Sequence, residues 1–121
     1  MKKSLLAVFL ASTVSLVPLA YADAKRGEAL FNDEKATKCI GCHRFGQAMV
    51  GPDLAGVSQR HTRSWIVRWL INAPATWNAK DPESEELRKR VKKKKVPVPA
   101  HAPPALTRQQ VQDITDYLMT K

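Results

Sequence analysis

Three stretches of this chain repeat apolar side chains at helical spacing, and none alternates with the two-residue period of a strand. Ala24, Leu30 and Phe31 interrupt polar positions over about 24–34, with Asp23 as a cap and Gly27 one turn before Phe31. Trp65, Ile66, Trp69 and Leu70 share one face of a helix predicted over 63–72, with Thr62 as its cap and Pro74 just beyond its end. Val111, Ile114, Tyr117 and Leu118 form the apolar face of a last helix over 108–120, opened by the capping-box pair Thr107 and Gln110. A fourth helix is signalled by its ends. Asp81 and Pro82 make an N-cap followed by proline at the first position, and acidic residues lead to basic ones through about residue 90, in the sense that suits the helix dipole. Gly46, Gly51, Pro52 and Gly56 mark 44–61 as loop. Four prolines between Val96 and Pro104 predict an extended, stiff segment. No internal repeat is visible. The pattern predicts an all-α fold.

The start of the chain belongs to a different class of segment. Met1-Lys2-Lys3 is positively charged, residues 4–17 are apolar, and Ala20-Tyr21-Ala22 carries small residues at the positions a signal peptidase reads. The run is short for a bilayer span of roughly 20 residues, and Pro18 interrupts its end. These features predict a signal peptide over 1–22 and a domain over 23–121, with cleavage after Ala24 as the alternative. They point to export to a bacterial periplasm, with no integral membrane segment once the signal is removed.

Removing 22 of the 121 residues leaves 99, a size at which an apolar core alone gives marginal stability. A covalently held cofactor would supply apolar mass. The mature chain keeps 18 Lys/Arg against 11 Asp/Glu, a balance of +7. Residues 88–95, RKRVKKKK, contain seven basic groups, so the remainder is neutral and the charge is a local patch. In an exported protein such a patch, Arg88 to Lys95, suits docking of an acidic partner protein rather than nucleic acid. A solvated helix end is the plainer reading.

The chemistry sits in Cys39-Ile40-Gly41-Cys42-His43, the signature of covalent haem attachment. Two thiols one helical turn apart can reach two vinyl groups on one edge of a porphyrin. The next residue's imidazole can then meet the iron, and Gly41 leaves room for the backbone beside the macrocycle. A zinc half-site would want a second ligand pair, of which only His61 and His101 remain. A dithiol redox pair would want a βαβ framework, which the pattern lacks.

At this point the chain resembles the small class I cytochromes c over nearly all of its mature length. The resemblance rests on the helix with Gly27 and Phe31, the haem motif at 39–43, the segment Gly51-Pro52-Asp53-Leu54-Ala55-Gly56-Val57, and the final helix with Tyr117-Leu118. It implies a small helical domain wrapped around one covalent haem c, held by Cys39 and Cys42, with His43 on the iron. It implies that the first and last helices cross near Gly27, Phe31 and Tyr117. It also implies that the Pro52 carbonyl accepts a hydrogen bond from the other ring nitrogen of His43.

The family usually places a methionine on the iron's other side, from a loop before the last helix. Here that loop reads Val98-Pro99-Ala100-His101-Ala102-Pro103-Pro104 and contains none. His101 stands in the methionine's place, so a His43/His101 pair is expected, which should lower the reduction potential. The alternatives are an open sixth site, His61, Met49 or Met119. His61 otherwise reads as a surface residue or a contact to a haem propionate. Trp65, Trp69 and Trp77 read as core packed on the haem, and an indole N–H or one of Arg60, Arg63 and Arg68 could reach a propionate. Nothing else in the chain resembles catalytic machinery. The expected function is one-electron transfer without enzymatic activity. The alternatives are a haem subunit of a periplasmic oxidoreductase complex and a gas-binding haem protein.

Overall fold

The computed structural model describes residues 19–92 and 106–121. The apolar leader at 4–17, the lysines at 93–95 and the proline-rich segment at 96–104 lie outside the described residues. Regular structure among those described is entirely helical: α1 (Leu19–Asn32), α2 (Cys39–Cys42), α3 (Val57–Arg60), α4 (Arg63–Ile71), α5 (Ala73–Trp77), α6 (Pro82–Val91) and α7 (Arg108–Leu118). None of these helices is long and apolar enough to cross a membrane.

The fold is organised by the crossing of α1 on α7. A Cβ added at Gly27 would lie 1.8 Å from the Asp113 carbonyl oxygen and 2.8 Å from Tyr117 Cβ, so only glycine lets the two backbones meet here. Beside the crossing, Phe31, Phe45 and Tyr117 form an aromatic cluster with ring centroids 5.2–5.7 Å apart. The buried carboxylate of Asp113 is satisfied by Arg26, through Nε at 3.1 Å and Nη2 at 3.0 Å, and by Gln109 Nε2 at 2.9 Å. Burial works to raise the pKa of Asp113, but its bonds to Arg26 and Gln109 outweigh it and hold the carboxyl below its ordinary range.

α1 begins earlier than the sequence predicts. Asp23 lies inside the helix and pairs with Arg26 instead of capping. The residues before it, Leu19-Ala20-Tyr21-Ala22, contain no glycine or proline to stop the helix, and leucine and alanine are good helix formers. The other caps fall where the sequence puts them. Thr62 accepts from Trp65 N at 3.3 Å, Asp81 from Ser84 N at 3.0 Å, and Thr107 and Gln110 exchange both bonds of a capping box.

Two short helices, α3 and α5, appear that the sequence does not predict. Pro74 lies beyond the end of α4 as expected, and it also sits in the first turn of α5, where Asn72 Oδ1 accepts from Ala75 N at 3.0 Å. Proline is tolerated there because a first-turn N–H has no helical acceptor to lose. Gly56, at φ 69, turns the chain into α3 within the stretch read as loop.

α4, α5 and α6 are fastened by one buried hydroxyl. Trp65 Nε1 donates to Ser84 Oγ at 3.0 Å, and Ser84 Oγ donates to the Thr76 carbonyl at 2.7 Å. Arg88 on α6 donates to the carbonyls of Trp77, the last residue of α5, and of Ala79 just beyond it.

Candidate haem site

α2 is a single turn that carries Cys39 and Cys42 at its two ends. Residues three apart on a helix lie on the same side, so both thiols face one region. Both are free and half-buried. Burial pushes the Cys39 thiol up, partly offset by its contact with the Thr37 carbonyl. The turn closes with His43 N donating to Cys39 O at 3.0 Å, and His43 itself is extended at φ −124, ψ 147. Lys38, just before the turn, is in the left-handed region at φ 57. A Cβ at Gly41 would meet no protein atom within 4 Å, so nothing in the protein's own packing requires a glycine there.

His43 Nδ1 and the Pro52 carbonyl oxygen are 2.9 Å apart. A carbonyl can only accept, so the bond puts the ring proton on Nδ1 and the lone pair on Nε2, the atom that could ligate a metal. Burial lowers the pKa of His43, and the Pro52 bond partly opposes this. The neutral ring, the form that binds a metal, is therefore favoured. The imidazole is packed against Gly51, where an added Cβ would lie 2.3 Å from Cε1 and 2.8 Å from Nε2.

The segment that delivers Pro52 is held at several points. Gly51 N donates to Cys42 O at 2.8 Å and Leu54 N to Arg44 O at 3.0 Å. Asp53 Oδ1 accepts from Gly46 N at 2.7 Å and Ala55 N at 2.8 Å. Arg60 reaches back from α3 to the carbonyls of Ala55, at 2.7 Å, and Asp53, at 3.3 Å. A same-side thiol pair, an adjacent imidazole with its tautomer set, and an uncrowded Gly41 together fit a covalently attached haem.

Comparison with known proteins agrees with this geometry. A model of the cytochrome c family matches residues 24–121. Cytochrome c from Rhodothermus marinus has a similar structure, with TM-score 0.60, 25% identity, and coverage of 98% of this chain and 88% of that one. An engineered form of the same protein, bound to a carbene intermediate, matches with TM-score 0.58 at the same identity and coverage. No curated protein sequence matches. A small helical domain with this site is a haem-binding electron-transfer fold, and the chain belongs to the cytochrome c family. Its cofactor is haem c.

The remaining histidines and methionines are placed unequally. His101 lies outside the described residues. His61 corrects the surface expectation. It is only 3% exposed, and its ring stacks on Trp65 with centroids 3.9 Å apart and planes at 17°. Its nitrogens point at carboxylates, Nδ1 at Glu83 Oε1 (3.7 Å) and Nε2 at Glu86 Oε2 (3.8 Å), and neither is hydrogen-bonded. Met49 is 41% exposed in the turn before Gly51, and Met119 caps the end of α7.

Trp65 and Trp77 are buried as expected, but the Trp65 indole N–H is used by Ser84. Arg63 is engaged by Gln112 and Asp116 on α7, and Arg68 by Asp81. Of the three arginines considered for a propionate, only Arg60 keeps a buried donor, Nε, without a hydrogen-bond partner. In the basic run, Arg88 and Arg90 are bound internally, Arg90 to Glu86 Oε1 at 3.1 Å, while Lys89 and Lys92 are exposed.

Sequence reasoning missed the part played by Asp53 and by the small size of Gly51. An aspartate after proline, followed by Ala-Gly, is a turn signal that could have pointed to Asp53.

Proposed function

We propose that this chain is an exported, periplasmic one-electron carrier whose haem is attached through Cys39 and Cys42, with His43 and His101 as axial ligands. The observation that carries this reading is the bond between His43 Nδ1 and the Pro52 carbonyl, which directs Nε2 to a metal. Haem c supplies the electron-accepting iron. The chain attaches it, orients His43, and covers it with apolar side chains, which are the protein's levers on potential. Export rests on the charged start, the apolar run at 4–17 and the Ala20-Tyr21-Ala22 site.

His101 is proposed as the sixth ligand because it takes the place of the family's methionine, in a segment whose prolines reduce the freedom lost on closing. The surroundings of His61 argue for it indirectly, since both its nitrogens face glutamates. A histidine pair should give a low-spin ferric spectrum without the near-infrared sulfur-to-iron band. His101→Met should introduce that band and raise the potential. Appearance of the band in the wild-type protein would instead assign Met49 or Met119.

Docking to an acidic redox partner is proposed for Lys89, Lys92 and the lysines at 93–95. Among the described residues of the run, Lys89 and Lys92 are exposed, whereas Arg88 is held by the carbonyls of Trp77 and Ala79 and Arg90 by Glu86.

A further inference from the structure

Asp53 lies outside the Cys39–His43 motif, yet its position in the chain is unusual. It follows Pro52 directly, and its one oxygen, Oδ1, gathers two backbone N–H groups from opposite sides of the loop. Gly46 N at 2.7 Å belongs to the strand of chain leaving His43, and Ala55 N at 2.8 Å to the chain leaving Pro52. These bonds hold the Asp53 carboxyl below its ordinary pKa, Ala55 first and Gly46 next. The Asp53 carbonyl is in turn gripped by Arg60 Nη2 at 3.3 Å. The peptide between Pro52 and Asp53, whose oxygen meets His43 Nδ1, is therefore fixed by the residue on its C-terminal side.

We infer that Asp53 is a positioning residue for the His43–Pro52 bond, acting as an acceptor that closes the loop 46–55 and holds the Pro52 carbonyl on the imidazole. The inference rests on His43 being the iron ligand. A carbonyl held at hydrogen-bond distance makes the imidazole a stronger donor to iron and favours the ferric state. If the carbonyl is free to rotate away, that assistance weakens. Geometry is the operative property, because both donors are neutral amides that an amide oxygen at the same place could also serve, though less strongly than a carboxylate.

The experiment compares holoprotein carrying Asp53→Ala and Asp53→Asn with wild type. The readouts are the reduction potential and the nuclear magnetic resonance shift and exchange rate of the His43 Nδ1 proton. Asp53→Ala should raise the potential, move the Nδ1 proton upfield and speed its exchange. Asp53→Asn, which keeps an oxygen at the same place, should restore all three towards wild type. If Asp53→Ala lowers only the thermal midpoint while potential and proton signal stay put, Asp53 is merely a loop staple and the inference fails. If Asp53→Asn behaves like Asp53→Ala, charge rather than positioning is responsible, and it fails again. A His43→Ala arm separates the two levels. A wild-type low-spin spectrum from that variant would overturn the ligation on which the inference depends, whatever the Asp53 variants do.

Discussion

His61 and Glu86 face each other across α3 and α6 with Nε2 and Oε2 3.8 Å apart, both atoms buried and neither hydrogen-bonded. A buried polar atom without a partner costs about 1–3 kcal/mol. The His61 ring compensates through its stack on Trp65. Burial lowers the His61 pKa most strongly; Glu86 and Glu83 work to raise it, and Arg90 and Arg60 to lower it.

The sign of the resulting pH dependence follows from linkage. The folded pKa lies below the unfolded value of about 6.5, so between the two the unfolded chain binds more protons. Stability from this group is complete above about 6.5 and is lost as pH falls towards the folded pKa. His61→Phe, which keeps an aromatic ring against Trp65, should flatten the fall in thermal midpoint over that acidic window. Identical pH slopes for the two proteins would show that His61 does not titrate there.

Gly27→Ala should destabilise the holoprotein despite alanine's better helix propensity. The new Cβ would lie 1.8 Å from a backbone oxygen of α7, which cannot rotate away as a side chain could. The gain in propensity is about 1 kcal/mol, and overpacking of this kind costs about 1–3 kcal/mol or more. A denaturant midpoint at or above wild type would mean that α1 and α7 can separate at no cost.

Lys38→Gly should stabilise. A non-glycine residue at φ 57 bears a left-handed strain of about 1–2 kcal/mol, partly offset by glycine's greater freedom when unfolded. A net gain of about 0.5–1 kcal/mol is expected in the thermal or denaturant midpoint of the holoprotein. A loss would show that the lysine side chain makes a contact worth more than the strain.

Replacing both Cys39 and Cys42 by alanine should abolish covalently bound haem, and either single change should leave one thioether and little holoprotein. Haem staining after denaturing electrophoresis reads this directly. A normal covalent yield from the double variant would falsify the attachment assignment.

Neutralising Lys89 and Lys92 together with the lysines at 93–95 should slow electron exchange with an acidic partner at low salt and flatten its salt dependence. The Debye length is about 8 Å at physiological ionic strength, so only charges close to the contact should count. Arg88 and Arg90 are the internal control. Arg88 donates to the carbonyls of Trp77 and Ala79, so its loss should lower the thermal midpoint rather than selectively slow docking.

What the sequence determined by itself is local. The caps at Thr62, Asp81 and Thr107 were legible because an N-cap is a contact between residues three apart, and the haem motif because its thiols and imidazole lie within five residues. The crossing of the first and last helices at Gly27 and Tyr117 was expected from the family resemblance and is found; the contact of Gly51 with the His43 ring was not foreseen. That the Gly51 backbone lies against the ring of His43 depends on how the loop after the motif folds back. His61 shows the limit most clearly. A histidine between Arg60 and Thr62 in a polar stretch has every local mark of a surface residue, yet the docking of α6 buries it beneath Glu83 and Glu86. Burial is set by what packs on a residue from elsewhere in the chain, and only the tertiary structure decides that.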